Sequence, residues 1–188
     1  MSRKKSSFLL AMPSMKDPLF MKSVVLLTSN NEEGALGFIL NVTTGAELKE
    51  ALNLMEYKIK NPPELPILLG GPVQTEFFWM IHSPVKVYPT TISKDENFAI
   101  SGAMEIFPDI GKAGCPEIYF AGVGYAGWGA SQLEEEIEEG SWWLDCIDPD
   151  DIFSVSPQNK WHEAFKILGI ETAEIVDKTD TNEPPIIN

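Results

Sequence analysis

Residues 117–137, EIYFAGVGYAGWGASQLEEEI, carry the signals that decide how this chain folds. Residues 117–121 are apolar and aromatic after the initial Glu117, which is typical of a buried strand. Four glycines follow within residues 122–129 and predict a turn. Residues 131–139 have the composition of a helix, which Gly140 closes as a C-cap. The stretch therefore predicts a strand, a turn and a helix in direct succession.

The glycines also match a phosphate-binding pattern. Gly122, Gly124 and Gly127 have the spacing G-x-G-x-x-G, and Asp145 follows about twenty residues later. In a dinucleotide site, such glycines let the backbone approach the pyrophosphate, the helix N-terminus attracts its charge and the acid binds the ribose hydroxyls. One hypothesis is therefore a nucleotide-binding enzyme that uses the turn from Gly122 to Gly127.

Three features of the same stretch argue against a nucleotide. Acidic residues fill positions 134–136 in the early turns of the helix, and the bulky Trp128 directly follows the third glycine. The motif also lies late in the chain, after hairpin-like strands instead of repeated βαβ units. The favoured interpretation is structural: the glycines form a tight turn, while Trp128, Leu133 and Ile137 pack inward.

Working outward, the chain alternates between both kinds of element. Strands are predicted at residues 8–12, 23–28, 35–40, 66–69, 77–82, 98–101 and 142–147, and the second and third form a hairpin. Thr44 and Glu47 fit a capping box for a helix that extends to Met55. Further helices are predicted from Gly102 towards Pro108 and from Ser156 to Gly169. Mixed α and β structure follows.

Length and composition indicate one domain. The 188 residues are 44% hydrophobic and 22% charged, in the ordinary globular range, so residues 1–170 are expected to form a single domain. Residues 171–188 are expected to be flexible or to lie on the surface. Apolar runs are strand-sized, and the basic N-terminus lacks the apolar region of a secretory signal. We therefore expect a cytoplasmic protein with no membrane contact.

The net charge excludes more classes of binding partner than length and overall composition do. The formal net charge is −14, and residues 113–159 include ten acids but no lysine or arginine. Proteins that bind nucleic acid rely on Lys and Arg to displace counterions from phosphates. The composition thus predicts no direct nucleic-acid binding, and it favours basic partners.

Sequence patterns for catalysis and metal binding are weak. Cys115 and Cys146 are too few and too far apart for a disulfide framework or a zinc site, and both are expected to be reduced and buried. His82 and His162 are the only imidazoles, and there is no G-x-S-x-G nucleophile motif. The acids from Asp145 to Asp151 are expected to form a solvated loop. No catalytic residue, metal or cofactor is predicted.

Several blocks together resemble the YqgE/AlgH family of bacterial proteins. The blocks are residues 9–20 (LLAMPSMKDPLF), 23–41 (containing SVVLL and EGALGFILN), 70–73 (GGPV), 124–137 (GYAGWGASQLEEEI) and 161–169. The resemblance implies an α+β fold with a mixed, curved or barrel-like bifurcated β-sheet surrounded by helices. The sequence departs from the family pattern at Asn31, where a His is common, and at Val42, where a Pro is common.

Convergence of these family blocks suggests a shallow ligand-binding pocket. The candidate residues are Asn41, Gly70, Gly71, Tyr125, Trp128 and Gln132. The leading hypothesis is a non-enzymatic binding or regulatory domain that engages a protein or a small ligand. Two alternatives remain: the nucleotide-binding enzyme described above, and a transcriptional regulator, which the negative charge disfavours as a direct DNA binder.

Overall fold

The computed structural model describes residues 5–170, so the prediction for the tail at 171–188 lies outside the described residues. Ten strands are present: β1 (Ser6–Ala11), β2 (Val24–Asn31), β3 (Gly34–Ile39), β4 (Thr43–Glu47), β5 (Pro66–Leu69), β6 (Val73–His82), β7 (Thr91–Lys94), β8 (Ala99–Gly102), β9 (Ile118–Trp128) and β10 (Trp142–Ile147). The α-helices are α1 (Leu48–Leu54), α2 (Ala103–Ile106), α3 (Gln132–Glu138), α4 (Pro149–Phe153) and α5 (Lys160–Ile167). Two 3-10 turns, Phe107–Asp109 and Pro157–Asn159, adjoin α2 and α5.

Eight of these strands lie in one continuous order, β10-β1-β2-β3-β9-β6-β8-β7. Neighbours along this path run antiparallel. The other two strands branch from it, since β4 pairs antiparallel with β5 and β5 runs parallel to β9. The predicted α+β class with a mixed sheet is confirmed.

The sheet forks at β9. One edge of β9 pairs with β6, while the other pairs with β5 at residues 121–123 and with β3 at residues 126–128. Gly70 lies between the two branches and hydrogen-bonds to both. Its amide donates to the Val123 carbonyl of β9 (2.9 Å), and its carbonyl accepts from the Ile39 amide of β3 (2.9 Å). This branching confirms the bifurcated sheet.

Strong curvature makes the sheet a half-barrel whose concave side encloses the main core. Within it the rings of Phe38 and Trp79 meet edge to face, with centroids 5.0 Å apart. Ser6 on β1 donates a hydrogen bond to Asp95 in the β7–β8 turn (3.2 Å). That contact links β1, the neighbour of the terminal strand β10, to the turn that follows β7 at the other end of the strand order.

Helices cover both sides of the sheet. Ile152 of α4 and Phe165 of α5 pack into the concave core with Phe8 and Leu10, whereas Leu133 of α3 packs against the opposite face of β1. Side chains alternate between faces along a strand, so β1 supplies both cores. Helices α1 and α2 cover the outer face of the other half of the sheet.

The turn predicted at residues 122–129 is wrong, because β9 continues through it to Trp128. The fully buried Trp79 of β6 explains the first of these glycines, Gly122. A Cβ on Gly122 would lie 2.2 Å from Cζ2 of the Trp79 ring, and the indole N–H donates to the Gly124 carbonyl (2.6 Å). Glycine in a strand often marks such a close approach.

The capping box predicted at Thr44 is also displaced. Residues 43–47 form β4, and the Thr44 hydroxyl donates to the Ile67 carbonyl of β5 (2.9 Å). Helix α1 starts after Glu47, whose amide donates to the Glu50 carboxylate (3.3 Å). Thr44 thus belongs to a strand whose partner, β5, lies about twenty residues later, and a pattern of neighbouring residues cannot predict that pairing.

Elsewhere the predicted positions agree well. The β2–β3 hairpin, β5, β10 and the short helix after β8 lie where the patterns place them. The helix predicted from Ser156 begins as a 3-10 turn and becomes α-helical at Lys160. Short elements are missed: β4, β7 and α4, whose Asp148 caps the Asp150 amide (3.1 Å) inside the expected acidic loop.

Candidate functional site

The structure gives the six residues proposed from the sequence three different sets of partners. Gly70, Gly71 and Tyr125 lie where the link from β5 to β6 crosses β9. At this crossing, a Cβ on Gly71 would lie 2.2 Å from the Tyr125 carbonyl group, and one on Gly70 would lie 2.5 Å from the Gly124 carbonyl oxygen. Two backbones touch there, which leaves no volume for a ligand between them.

Asn41 follows β3, and its side chain hydrogen-bonds to the backbone at the start of β2. Its side-chain oxygen accepts a hydrogen bond from the Val24 amide (2.8 Å), and its side-chain nitrogen donates to the Lys22 carbonyl (2.8 Å). Both ends of the amide are therefore engaged in fixing the start of β2.

Trp128 and Gln132 meet at a carboxylate. Glu136 of α3 accepts hydrogen bonds from the indole of Trp128 (3.0 Å), the indole of Trp142 (2.8 Å) and the amide of Gln132 (2.9 Å). The two indole rings are mostly buried and meet edge to face, with centroids 5.8 Å apart. Glu136 thereby ties α3 to the ends of β9 and β10, and we call these four residues the indole cluster.

Replacing Glu136 by alanine should destabilise the protein by about 2 kcal/mol, because two buried indole N–H groups lose their acceptor. Urea unfolding followed by tryptophan fluorescence measures the change. Glu135→Ala is the control, since Glu135 is exposed on the same helix and has no bond to the indoles. Equal stability of the two variants would contradict a stabilising role for Glu136.

Two cavities adjoin the indole cluster. Trp128, Asn31 and Glu33 line one of about 210 Å³ beside the β2–β3 hairpin. The second, of about 290 Å³, shares Asn31 and extends to Ser131 and Glu134 at the start of α3. Their walls combine hydroxyls, amides and carboxylates with the Trp128 ring and, in the first cavity, with Gly34, Ala35 and Leu36.

A third cavity, of about 430 Å³, lies between the start of β9 and α4. Tyr119 and Phe153 contribute aromatic rings, and Glu117 and Asp150 contribute carboxylates. The walls of these three cavities contain no lysine, arginine or histidine among the described residues. This distribution places negative charge at every one of them.

Strand β10 lies at one end of the sheet, and within residues 5–170 no strand pairs with its other edge. The Met12 amide donates to the Ser141 carbonyl (3.0 Å), and the register of β1 with β10 continues from there. Since paired residues alternate in an antiparallel ladder, residues 142, 144 and 146 direct their backbone groups away from β1. The Asp145 carboxylate already accepts from the Cys146 amide (2.7 Å).

Two large side chains are exposed on β10. Trp143 is 40% exposed and Leu144 is 41% exposed. Acidic residues lie on either side of them in the sequence: Asp145 follows on the strand, residues 148–151 contain three aspartates at α4 on the concave side of the sheet, and α3, which packs on the opposite side, carries acids just before the strand. We call the acids of α3, β10 and α4, with Trp143 and Leu144, the acidic face.

The sequence pattern did not single out this exposed pair. The run WWLDCI predicts a strand, and its composition does not distinguish a strand at the end of a sheet from a central one. Its place at the sheet end is set by pairing between residues 6–11 and 142–147, far apart in the chain. Two adjacent tryptophans in a final strand within an acidic stretch were the available signal.

One pair of side chains has the geometry of a nucleophile and its base. The His82 ring nitrogen Nε2 lies 2.9 Å from the Ser101 hydroxyl, and Nδ1 lies 2.9 Å from the Ser83 carbonyl. Both side chains are fully buried, and burial lowers the pKa of the His82 imidazole despite the opposing effect of the Ser83 carbonyl. A substrate cannot reach this hydroxyl, so the pair stabilises the β6–β8 contact.

Neither cysteine is buried as expected. Cys115 is half-buried and Cys146 is exposed on β10, and both are free thiols. The part of the chain that the structure describes contains no group of three or more His, Cys, Asp or Glu residues arranged to hold a metal. Its longest helix, α5, has eight residues, and none of its helices has the length and apolarity to cross a bilayer.

The nucleotide hypothesis lacks its expected geometry. Gly122, Gly124 and Gly127 lie within β9 and not at a helix N-terminus, and α3 starts only at Gln132. Ser131 precedes it in the left-handed conformation, with φ of 62°. No phosphate placed at these glycines would face the helix.

Comparison with known proteins supports the resemblance seen in the sequence. The AlgH-like family matches residues 8–173. A UPF0301 protein of Cupriavidus metallidurans is 34% identical over 168 residues, which cover 88% of each chain. A UPF0301 protein of Vibrio cholerae is 35% identical over 174 residues, covering 89% of this chain and 93% of its own.

Solved structures agree. The solution structure of the AlgH protein from Pseudomonas aeruginosa has a TM-score of 0.73 and 30% identity, covering 98% of this chain and all of the other. A crystal structure from Corynebacterium diphtheriae, 19% identical, shares the fold with a TM-score of 0.63 over 89% of this chain and 88% of its own. With its family match spanning most of its length, the chain is a member of the AlgH-like family.

Proposed function

We propose that this protein is a non-enzymatic binding domain whose ligand is a basic segment of another protein, recognised at the acidic face. The observation that carries the proposal is the exposure of Trp143 and Leu144 on a strand that carboxylates flank on both sides in the sequence. Exposed aromatic and aliphatic side chains provide apolar contact area, and the surrounding acids select the charge of the partner.

Charge supports a basic partner over other classes. The ten acids between residues 113 and 159 have no basic neighbour in sequence, and Lys160, which follows, is fully buried. An acidic surface attracts lysine and arginine side chains and repels phosphates. Direct binding of DNA by this surface is therefore disfavoured, and a regulatory role would act through protein contacts.

Binding without catalysis is supported by the surroundings of the reactive groups. The Ser101 hydroxyl and His82 are buried, and the glycines of β9 are occupied by Trp79 and by the neighbouring backbone. We place this binding in the cytoplasm, which the two free cysteines support.

The test uses a fluorescein-labelled heptapeptide of alternating lysine and valine, with a glutamate–valine peptide as its charge-reversed control. Fluorescence anisotropy should show binding of the lysine peptide only, weakening about tenfold or more between about 50 and about 300 mM NaCl. Equal binding of both peptides, or none of either, would overturn the proposal.

A matched pair of double variants assigns the binding to the acidic face. Asp145→Asn with Asp151→Asn should weaken binding by about tenfold. Glu56→Gln with Glu64→Gln removes the same charge from exposed positions elsewhere and should change it by less than about twofold. If both pairs weaken binding equally, the attraction comes from net charge and not from this face.

A further inference from the structure

We propose that the basic segment binds as an extra antiparallel strand on the edge of β10 that pairs with no strand within residues 5–170, with basic and apolar residues alternating. This inference rests on the proposed function and specifies how the partner is held. Open sheet edges present unpaired amides and carbonyls that a second extended chain can complete, which gives affinity through the backbone and specificity through alternate side chains.

The open backbone groups are centred on Leu144. Residues 142, 144 and 146 face away from β1, and the Cys146 amide is held by Asp145. In an antiparallel pair, the incoming residue opposite Leu144 exchanges both hydrogen bonds with it. Pairing along the edge takes the Cys146 amide from Oδ1 of Asp145, while Oδ2 keeps its hydrogen bond from the Trp143 indole (3.3 Å), so that Oδ1 becomes available to a cation of the incoming chain.

The two faces of β10 determine why basic and apolar residues should alternate in the incoming strand. Trp143 and Asp145 share one face, since their partners on β1 are Leu10 and Phe8, whereas Leu144 lies opposite Leu9 on the other face. Cross-strand neighbours interact directly. A lysine or arginine fits beside the Trp143 ring and the Asp145 carboxylate, and an apolar residue fits beside Leu144.

Mutual pairing of two copies through β10 is disfavoured by charge. It would bring together two acidic faces on chains that each carry a net charge of −14. Like-charge juxtaposition across an interface opposes association. A basic strand has no such penalty.

Methylation of peptide amides tests the backbone pairing. In the antiparallel arrangement each valine lies opposite residue 142, 144 or 146 and directs its backbone amide to β10. Each lysine lies opposite residue 143 or 145 and directs its backbone amide to solvent. N-methylation of the valines in the lysine–valine peptide should weaken binding by about tenfold or more, and N-methylation of the lysines by less than about threefold. Equal effects, or the reverse order, would overturn the antiparallel strand while leaving charge-driven binding intact.

A protein variant gives an independent measurement. Leu144→Pro removes an outward amide that β1 does not use, a position where a sheet edge tolerates proline. It should abolish binding of the unmodified peptide, while Leu144→Ala, which keeps the amide, should weaken it only about threefold. Thermal unfolding confirms that each variant is folded.

Two results would overturn the edge-strand proposal with the fold intact. One is unchanged peptide binding by folded Leu144→Pro. The other is a dimer, detected by analytical ultracentrifugation, that Leu144→Pro dissociates, since this would assign the edge to a second copy. If Leu144→Pro does not fold, the comparison of N-methylated peptides on the unmodified protein decides the question. Failure of the salt-dependent binding itself would refute the proposed function instead.

Discussion

Gly122→Ala is expected to destabilise the protein by about 3 kcal/mol, the cost typical of overpacking a tight core. The added methyl would lie 2.2 and 2.5 Å from two atoms of the Trp79 ring. That ring cannot move aside easily, because it is fully buried, contacts Phe38 and donates to the Gly124 carbonyl. Urea unfolding at equilibrium gives the free energy directly.

A double-mutant cycle isolates the contact between the methyl and the ring. Trp79→Phe is itself destabilising, because it removes ring area and the hydrogen bond to Gly124. The smaller ring leaves room for the methyl, so the double variant should be more stable than the sum of the single changes predicts, by about 1 kcal/mol or more. Simple additivity would show that Gly122 has another role.

Gly129→Ala is the control within the same glycine-rich block. Its added Cβ would meet only the Gln132 side chain, at 3.8 Å. We expect its stability to lie within about 0.5 kcal/mol of the unchanged protein. A large loss at Gly129 together with a small one at Gly122 would contradict the structural account of the block.

We expect the free energy of unfolding of the unchanged protein, measured relative to that of Lys160→Met, to rise by up to about 3 kcal/mol as the pH increases from about 8 to 10.5. Burial lowers the pKa of the Lys160 ammonium from 10.5 to about 8. Between these values the unfolded chain binds a proton that the folded chain has lost. The free energy of unfolding therefore increases with pH across this window and is lowest below it.

The surroundings of Lys160 explain why a cation is tolerated there. Its ammonium donates to the carbonyls of Ile152 (2.8 Å) and Val155 (2.5 Å) at the end of α4, and it lies 4.9 Å from the centre of the Phe120 ring. Helix C-termini and aromatic faces both favour positive charge. Lys160 thus joins α4 and α5 to β9.

Denaturant unfolding at several pH values from about 7.5 to 10.5 measures this effect. Taking the difference from Lys160→Met cancels the titration of other groups. Lys166→Met provides the control, because Lys166 is exposed on the same helix and its removal should leave the pH profile unchanged. Parallel profiles for the unchanged protein and Lys160→Met would refute a depressed pKa at Lys160.

Local patterns were sufficient wherever neighbouring residues determine the conformation. The β2–β3 hairpin has a polar turn between apolar runs, and Gly140, whose φ of 78° suits glycine, follows the C-cap of α3. The same reasoning failed at Thr44, which hydrogen-bonds to Ile67, and at Gly122, which accommodates Trp79. In both cases the deciding contact comes from a strand distant in the sequence.

The candidate site shows the same division. Charge, counted along residues 113–159, indicated an acidic surface and a preference for basic partners. The pocket proposed around Trp128 and Gln132 was placed by motif convergence, and the structure shows these side chains bound to Glu136. The exposure of Trp143 and Leu144 could not be predicted, since a strand at the sheet end has the same composition as a central one.

The sequence by itself determined the mixed α and β content, most of the strands and helices and the acidic character, because periodicity, capping and charge are properties of neighbouring residues. Its motif blocks indicated the family, and the resemblance implied the α+β class. The tertiary structure alone decided that Gly122 of β9 makes room for Trp79 and that β10 lies at one end of the strand order within residues 5–170. Both depend on strand order and register, which are set by packing between residues far apart in the chain.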